Sequence, residues 1–270
     1  MIRFIIILCS LVSAAHAAAP ISISVYNKTE DFAIVSQNSD IVRPIASVTK
    51  LMTAMVMLDL HSDMDEKLKM TTRVKSNLPI QYYSKRDLLT AMLVRSDNAA
   101  AETFAGDYVN GRLGFIEAMN TKARQLGMTH TSFDDPSGLS KNNVSTAEDV
   151  SKMVAESLNY AVIKQTTVKK QAMFETYYKK KMRNVELPNT NSMLLGQFDN
   201  IDLSKTGFTN PAGWCLGLAA HQGSSVFIIV ILGTPNKQAR LNTAKGLLLH
   251  NIEGHHNSMT ISSNWQIIDN

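Results

Sequence analysis

The chain has 270 residues, 44% hydrophobic and 19% charged, with a formal net charge of +4. Such a composition buries a core and excludes a disordered chain, and the length suits one domain carrying a smaller helical lobe. Lys and Arg are scattered except at Lys179, Lys180 and Lys181, and no aromatics interleave with them. That excludes a nucleic-acid groove and leaves the lysine run as a solvated face.

Arg3 precedes the apolar run Phe4-Ile5-Ile6-Ile7-Leu8, and small residues lead on to Ala15-His16-Ala17. Residues 1–17 therefore read as a secretory signal, too short to span a membrane, which places the mature chain in the periplasm. Cleavage after Ala17 removes Cys9 and leaves Cys215 alone, so no disulfide forms within one mature chain. Cys9 lies inside the apolar run and is no lipid-anchor site. The polar, His-rich end from Asn251 to Asn270 has no amphipathic stretch, so no stable membrane anchor is expected. The expected division is a catalytic domain over 18–255 and a polar tail over 256–270.

Within the domain, Ile21 to Tyr26 alternates with period two and Phe32 to Val35 follows a turn-like segment, which predicts an opening hairpin. Ser47 to Leu60 is apolar on nearly every side, the mark of a buried central helix whose methionines fill the core. Helices are predicted over 86–95, 98–107 and 111–126, the last ended by Gly127. Ser145 and Glu148 have the spacing of a capping box opening a helix to about Leu158. Trp214 to Ala220 and Val226 to Leu232 read as strands around a Gln222-Gly223-Ser224 turn, and a helix from Lys237 to His250 closes the core. Strands at both ends with helices between them predict an α/β (α+β) fold: an antiparallel sheet flanked by helices, with an inserted helical subdomain.

Three short segments carry chemistry. Ser47-Val48-Thr49-Lys50 puts a serine where a helix begins and a lysine one turn along the same face. A buried lysine loses proton affinity and can serve as a base for the hydroxyl. This is the chain's only S-x-x-K, and a charge in so apolar a helix demands a reason. Ser96-Asp97-Asn98 is one of several S-x-N matches, with those at Ser36, Ser140, Ser157 and Ser262, but it alone lies in a break between two predicted helices. A hydroxyl there can pass a proton to a leaving amine and an amide can hold a substrate carbonyl, although helix capping by itself explains such residues. Lys205-Thr206-Gly207 offers an ammonium and a hydroxyl to a carboxylate, with a glycine that admits close approach. Together and in this order the segments form the serine acyl-transfer set of penicillin-binding proteins and class A β-lactamases, and their chance co-occurrence is on the order of one per cent.

Beyond these segments the chain resembles the D-alanyl-D-alanine carboxypeptidases and endopeptidases among the low-molecular-mass penicillin-binding proteins. The resemblance rests on Ala46 to Ala54, Asp135-Pro136-Ser137-Gly138-Leu139, Ser145 to Asp149 and Lys205 to Leu216, and it spans roughly residues 21–250. It implies a β-lactamase/transpeptidase-like fold, with Ser47 acylated, Lys50 as general base and Ser96 relaying a proton. It further implies that Asn98 binds the substrate backbone, that Lys205 and Thr206 engage a carboxylate, and that the N–H groups of Ser47 and Phe208, beside Gly207, hold the oxyanion. The implied substrates are peptidoglycan stem peptides, with β-lactams as covalent inhibitors. Asp97 departs from the glycine common in carboxypeptidases of the family. The chain also ends soon after its final helix, so it looks more like the short, soluble endopeptidase branch, with pentapeptide trimming as the alternative.

A class A-like β-lactamase is the less favoured hydrolase, because Thr129 to Gly138 holds Asp134 and Asp135 but no glutamate to activate a deacylating water. A wall-binding protein without catalysis is disfavoured by three intact motifs. No cofactor is expected, and no metal either: His250, His255 and His256 lack a cysteine or carboxylate framework.

Overall fold

The computed structural model describes residues 20–253, apart from Ser62 and Lys180. The expected signal segment 1–17 and tail 256–270 lie outside the described residues, as do His255 and His256.

The chain opens on the hairpin β1 (Ser22–Asn27) and β2 (Phe32–Gln37), and the two-residue β3 (Arg43–Pro44) follows. A short 3₁₀ turn (Ala46–Thr49) runs into α1 (Lys50–Asp59). The ribbon strands β4 (Lys67–Lys69) and β5 (Tyr82–Ser84) lead to α2 (Lys85–Val94), α3 (Asn98–Asp107) and α4 (Gly111–Gln125). Then come β6 (Val144–Ser145), which pairs with β3, and the helices α5 (Ala147–Ser157) and α6 (Ala161–Thr167). A second ribbon, β7 (Gln171–Tyr178) with β8 (Lys181–Pro188), and a one-turn α7 (Ser192–Leu195) precede β9 (Ile201–Thr209), β10 (Gly213–Gln222) and β11 (Ser225–Thr234). The helix α8 (Lys237–Glu253) completes the described chain.

Five strands form one antiparallel sheet in the order β2-β1-β11-β10-β9. The first and last segments of the domain thus meet, and the helical subdomain is inserted between them, which is the predicted α/β architecture. The unbroken apolar run in β11 follows from cover on both faces. Phe227, Ile229 and Ile231 pack with Leu241, Ala244 and Leu248 of α8, while Ile228, Val230 and Leu232 join the larger core of the helical side. Each such side chain contributes about 2 kcal/mol on burial. In α1 every residue from Lys50 to Met57 is buried, so this helix is the axis on which the other layers pack.

Two local expectations shift. The α-helix starts at Lys50 rather than Ser47, because Ala46 has φ +48° and the next residues turn more tightly, with the Val48 N–H donating to the Ile45 carbonyl. The cap of α5 also lies one residue on. Thr146 accepts from the Asp149 N–H at 3.1 Å, whereas Ser145 pairs with Arg43 and contacts Thr131, and Glu148 accepts from Ser39.

Candidate active site

The start of α1, the break between α2 and α3, and the middle of β9 converge. Lys50 is fully buried, and its Nζ lies 2.9 Å from Ser47 Oγ, 2.8 Å from Asn98 Oδ1 and 2.5 Å from the Ser137 carbonyl. Three contacts saturate the group in either protonation state. An ammonium donates all three, while a neutral amine donates to the two carbonyl oxygens and keeps its lone pair for the Ser47 hydroxyl. Burial lowers the Lys50 pKa from 10.5 to about 7, against the upward pull of the Asp135, Asp97 and Glu102 carboxylates. Near neutrality the amine is therefore present in the form a base requires.

The Ser137 carbonyl is held by a turn that motif reading matched without assigning it a task. The buried Asp135 carboxylate accepts from the Ser137 N–H at 2.6 Å, the Ser137 hydroxyl at 2.8 Å, the Gly138 N–H at 2.6 Å and the Ser140 N–H. These bonds keep its pKa below the ordinary value despite burial. Asn143 accepts from the Asp134 and Asp135 N–H groups and donates to the Asp135 carbonyl and to Thr49. Pro136 offers its carbonyl to Thr53, so the turn is fastened to α1 beside Lys50.

Ser96 occupies the break with φ +63°, a left-handed conformation that costs a non-glycine residue about 1 kcal/mol or more. The Arg95 and Asp97 N–H groups both donate to the Ala91 carbonyl, and Asp97 then caps α3 by accepting from Ala100 at 2.9 Å. Its other oxygen accepts from the Ser76 hydroxyl and the Asn77 N–H at 2.9 and 2.6 Å. The middle residue of the motif thus fixes its two neighbours, Ser96 toward Lys205 and Asn98 toward Lys50.

On the facing wall, Lys205 is buried and donates to Ser96 Oγ at 2.9 Å and to the Thr206 carbonyl at 3.0 Å. Burial first, then the charges of Lys50 and Arg240, push its pKa well below 10.5. Thr206 donates to Thr190 at 2.6 Å. Gly207 lies so near the turn at Ser47 that a β-carbon would stand 2.9 Å from Ser47 N, which brings the edge of β9 against that amide. Phe208, half-exposed, stacks on Trp214 with centroids 4.4 Å apart.

The structure thus brings the eight residues singled out in the sequence, from Ser47 to Phe208, together. Ser47, Ser96, Thr206, Gly207 and Phe208 line a cleft of about 300 Å³, while Lys50 and Lys205 are buried behind it and Asn98 contacts Lys50. Thr190, Trp214 and three cations, Arg95, Lys237 and Arg240, also line it. Sequence reading missed these, although Arg95 adjoins Ser96 and Trp214 follows the β9 motif. Among the described residues no cluster of three or more His, Cys, Asp or Glu is arranged to hold a metal, and no helix is long and apolar enough to cross a membrane. Cys215 is a buried free thiol, and burial raises its pKa to about 11.

A serine, a buried lysine and a second serine–lysine pair around one cleft define a serine acyl-transferring hydrolase. The profile of the D-alanyl-D-alanine carboxypeptidase family matches residues 11–236. The chain is 38% identical over 225 residues to the D-alanyl-D-alanine endopeptidase of Escherichia coli K12, covering 79% of this chain and 71% of that relative. It is 37% identical over 224 residues to the enzyme of the same name from Pseudomonas aeruginosa, with the same shares covered. In three dimensions it is similar to penicillin-binding protein D2 of Listeria monocytogenes in its ampicillin-bound form, with a TM-score of 0.74 and 32% identity over 84% of this chain and 94% of that one. The chain belongs to the D-alanyl-D-alanine carboxypeptidase family and is a serine-type D,D-peptidase.

Proposed function

We propose that this protein is an exported, periplasmic D-alanyl-D-alanine endopeptidase that opens peptide cross-links in peptidoglycan. Ser47 Oγ attacks the D-alanyl carbonyl as Lys50 Nζ accepts its proton, and the oxyanion forms against the N–H groups of Ser47 and Phe208. The C–N bond then breaks, with the proton returned to the leaving amine through Ser96, and an acyl ester remains on Ser47. Water hydrolyses that ester with Lys50 again as base, releasing the acid and the free serine. Asn98 holds the substrate backbone, while Lys205 and Thr206 take the carboxylate beside the leaving amine. β-Lactams enter by the same attack, with the ring amide as the bond that breaks.

The observation that carries this reading is the three-way coordination of Lys50 Nζ by Ser47, Asn98 and the Ser137 carbonyl. The endopeptidase assignment is supported by relatives of that name at 38% and 37% identity. The alternative is trimming of pentapeptides, supported by a D-alanyl-D-alanine carboxypeptidase of Bacillus subtilis at 28% identity. Incubation with defined cross-linked and pentapeptide muropeptides, followed by mass analysis, separates the two. Conversion of dimers to monomers is expected, and loss of terminal D-alanine alone refutes the endopeptidase assignment.

A further inference from the structure

Lys237 is exposed at the first turn of α8, Arg95 lies at the end of α2, and both line the cleft that contains Ser47. Arg240 lines it too, buried over the Trp214 ring at 5.6 Å, with its Nε unpartnered. Among the described residues no acidic side chain lines this cleft. The Arg95 and Lys237 side chains make no ion pair or hydrogen bond among the described residues, in contrast to Lys85, Arg86, Arg112, Lys122 and Lys152, each of which sits on a carboxylate. Cations gathered around one partly enclosed cleft repel one another, and burial already depresses the Arg240 pKa to about 10. An arrangement of this kind is relieved by a polyanionic ligand.

We infer that Arg95 and Lys237 form a second anion subsite, which takes a further carboxylate of the leaving peptide, beyond the one adjacent to its amine. The inference rests on the endopeptidase reading above. A departing D-alanine brings one carboxylate, and Lys205 and Thr206 suffice for it. A departing stem peptide brings a C-terminal or side-chain carboxylate besides, once Lys205 and Thr206 are occupied by the first. Arg95 and Lys237 stand on different elements, α2 and α8, so such a peptide would be gripped across the cleft rather than along one wall. The pair would also concentrate acidic stems from solution, an effect that salt weakens.

The test compares two cross-linked muropeptide dimers that differ only in the leaving stem, one with free acids at the remote carboxyl positions and one with carboxamides there. The wild-type protein is expected to show a KM for the free acid at least about fivefold lower, a gap that narrows in high salt. In R95Q/K237Q the two KM values should converge within about twofold, while the ratio of their kcat values stays unchanged. Equal KM values for both dimers in the wild type, with both cleaved, overturn the subsite and leave the endopeptidase reading intact. Cleavage of neither dimer, with penicillin labelling retained, overturns both.

Discussion

Gly138 lies directly beneath Ala46: a β-carbon on Gly138 would come within 2.0 Å of the Ala46 carbonyl oxygen and 2.9 Å of Ser47 N. Gly138 has φ +82° and Ala46 has φ +48°, so two left-handed residues interlock behind Ser47. The turn that supplies the Ser137 carbonyl to Lys50 and the turn that presents Ser47 are therefore one packed unit.

Gly138→Ala should accordingly be severe. Neither backbone can yield without moving Ser47, and the expected cost is about 3 kcal/mol or more, with loss of penicillin labelling. Gly106→Ala is the matched control, because a β-carbon there meets nothing within 4 Å, and it should change stability by no more than about 1 kcal/mol. Denaturant midpoints and labelling with a fluorescent penicillin, measured on both variants, check this.

The rate of acylation should depend on pH through Lys50. With a pKa of about 7 the amine is protonated below neutrality and free above it. Labelling by a saturating β-lactam should rise about tenfold per pH unit on the acid side and level off above about pH 7. A rate constant flat from pH 5 to 9 would show that Lys50 does not titrate in the step.

Asp135→Asn should act on stability and on this profile together. The carboxylate accepts four hydrogen bonds, and an amide can no longer accept all of them, so a loss of about 2 kcal/mol is expected at neutral pH. The folded pKa of Asp135 lies below its ordinary 3.8, so its contribution is complete above that value and is lost as the pH falls through the lower folded one. The gap in denaturation midpoint between wild type and variant should therefore close below about pH 4. Loss of a charge that raises the Lys50 pKa should also move the acid limb of labelling to lower pH.

Much of this was legible in the sequence, and the gaps have physical reasons. The start of α3 is legible because Asp97 is a residue type that caps helices, and its side chain accepts from the Ala100 N–H. The capping box at Ser145 failed because tertiary partners, Thr131 for Ser145 and Ser39 for Glu148, outbid the local pattern and left Thr146 to cap. The ribbon β7–β8 went unpredicted, since its turn at Lys179 (φ +49°) lacks the usual glycine or asparagine. The part of Ser137 was hidden for a deeper reason: it contributes a backbone carbonyl, which every residue possesses, and only the fold aims it at Lys50. Arg95, Lys237 and Arg240 are ordinary surface-type residues in a string of letters, and they become a group only once α8 closes over the sheet.

The central claim is that Ser47, activated by Lys50, forms the acyl-enzyme. Its most direct test is peptide mapping by mass spectrometry after brief exposure to benzylpenicillin. One adduct of the whole penicillin mass is expected, on the peptide containing Ser47, absent in Ser47→Ala and strongly slowed in Lys50→Ala. An adduct on any other residue, or an undiminished adduct in Ser47→Ala, would contradict it.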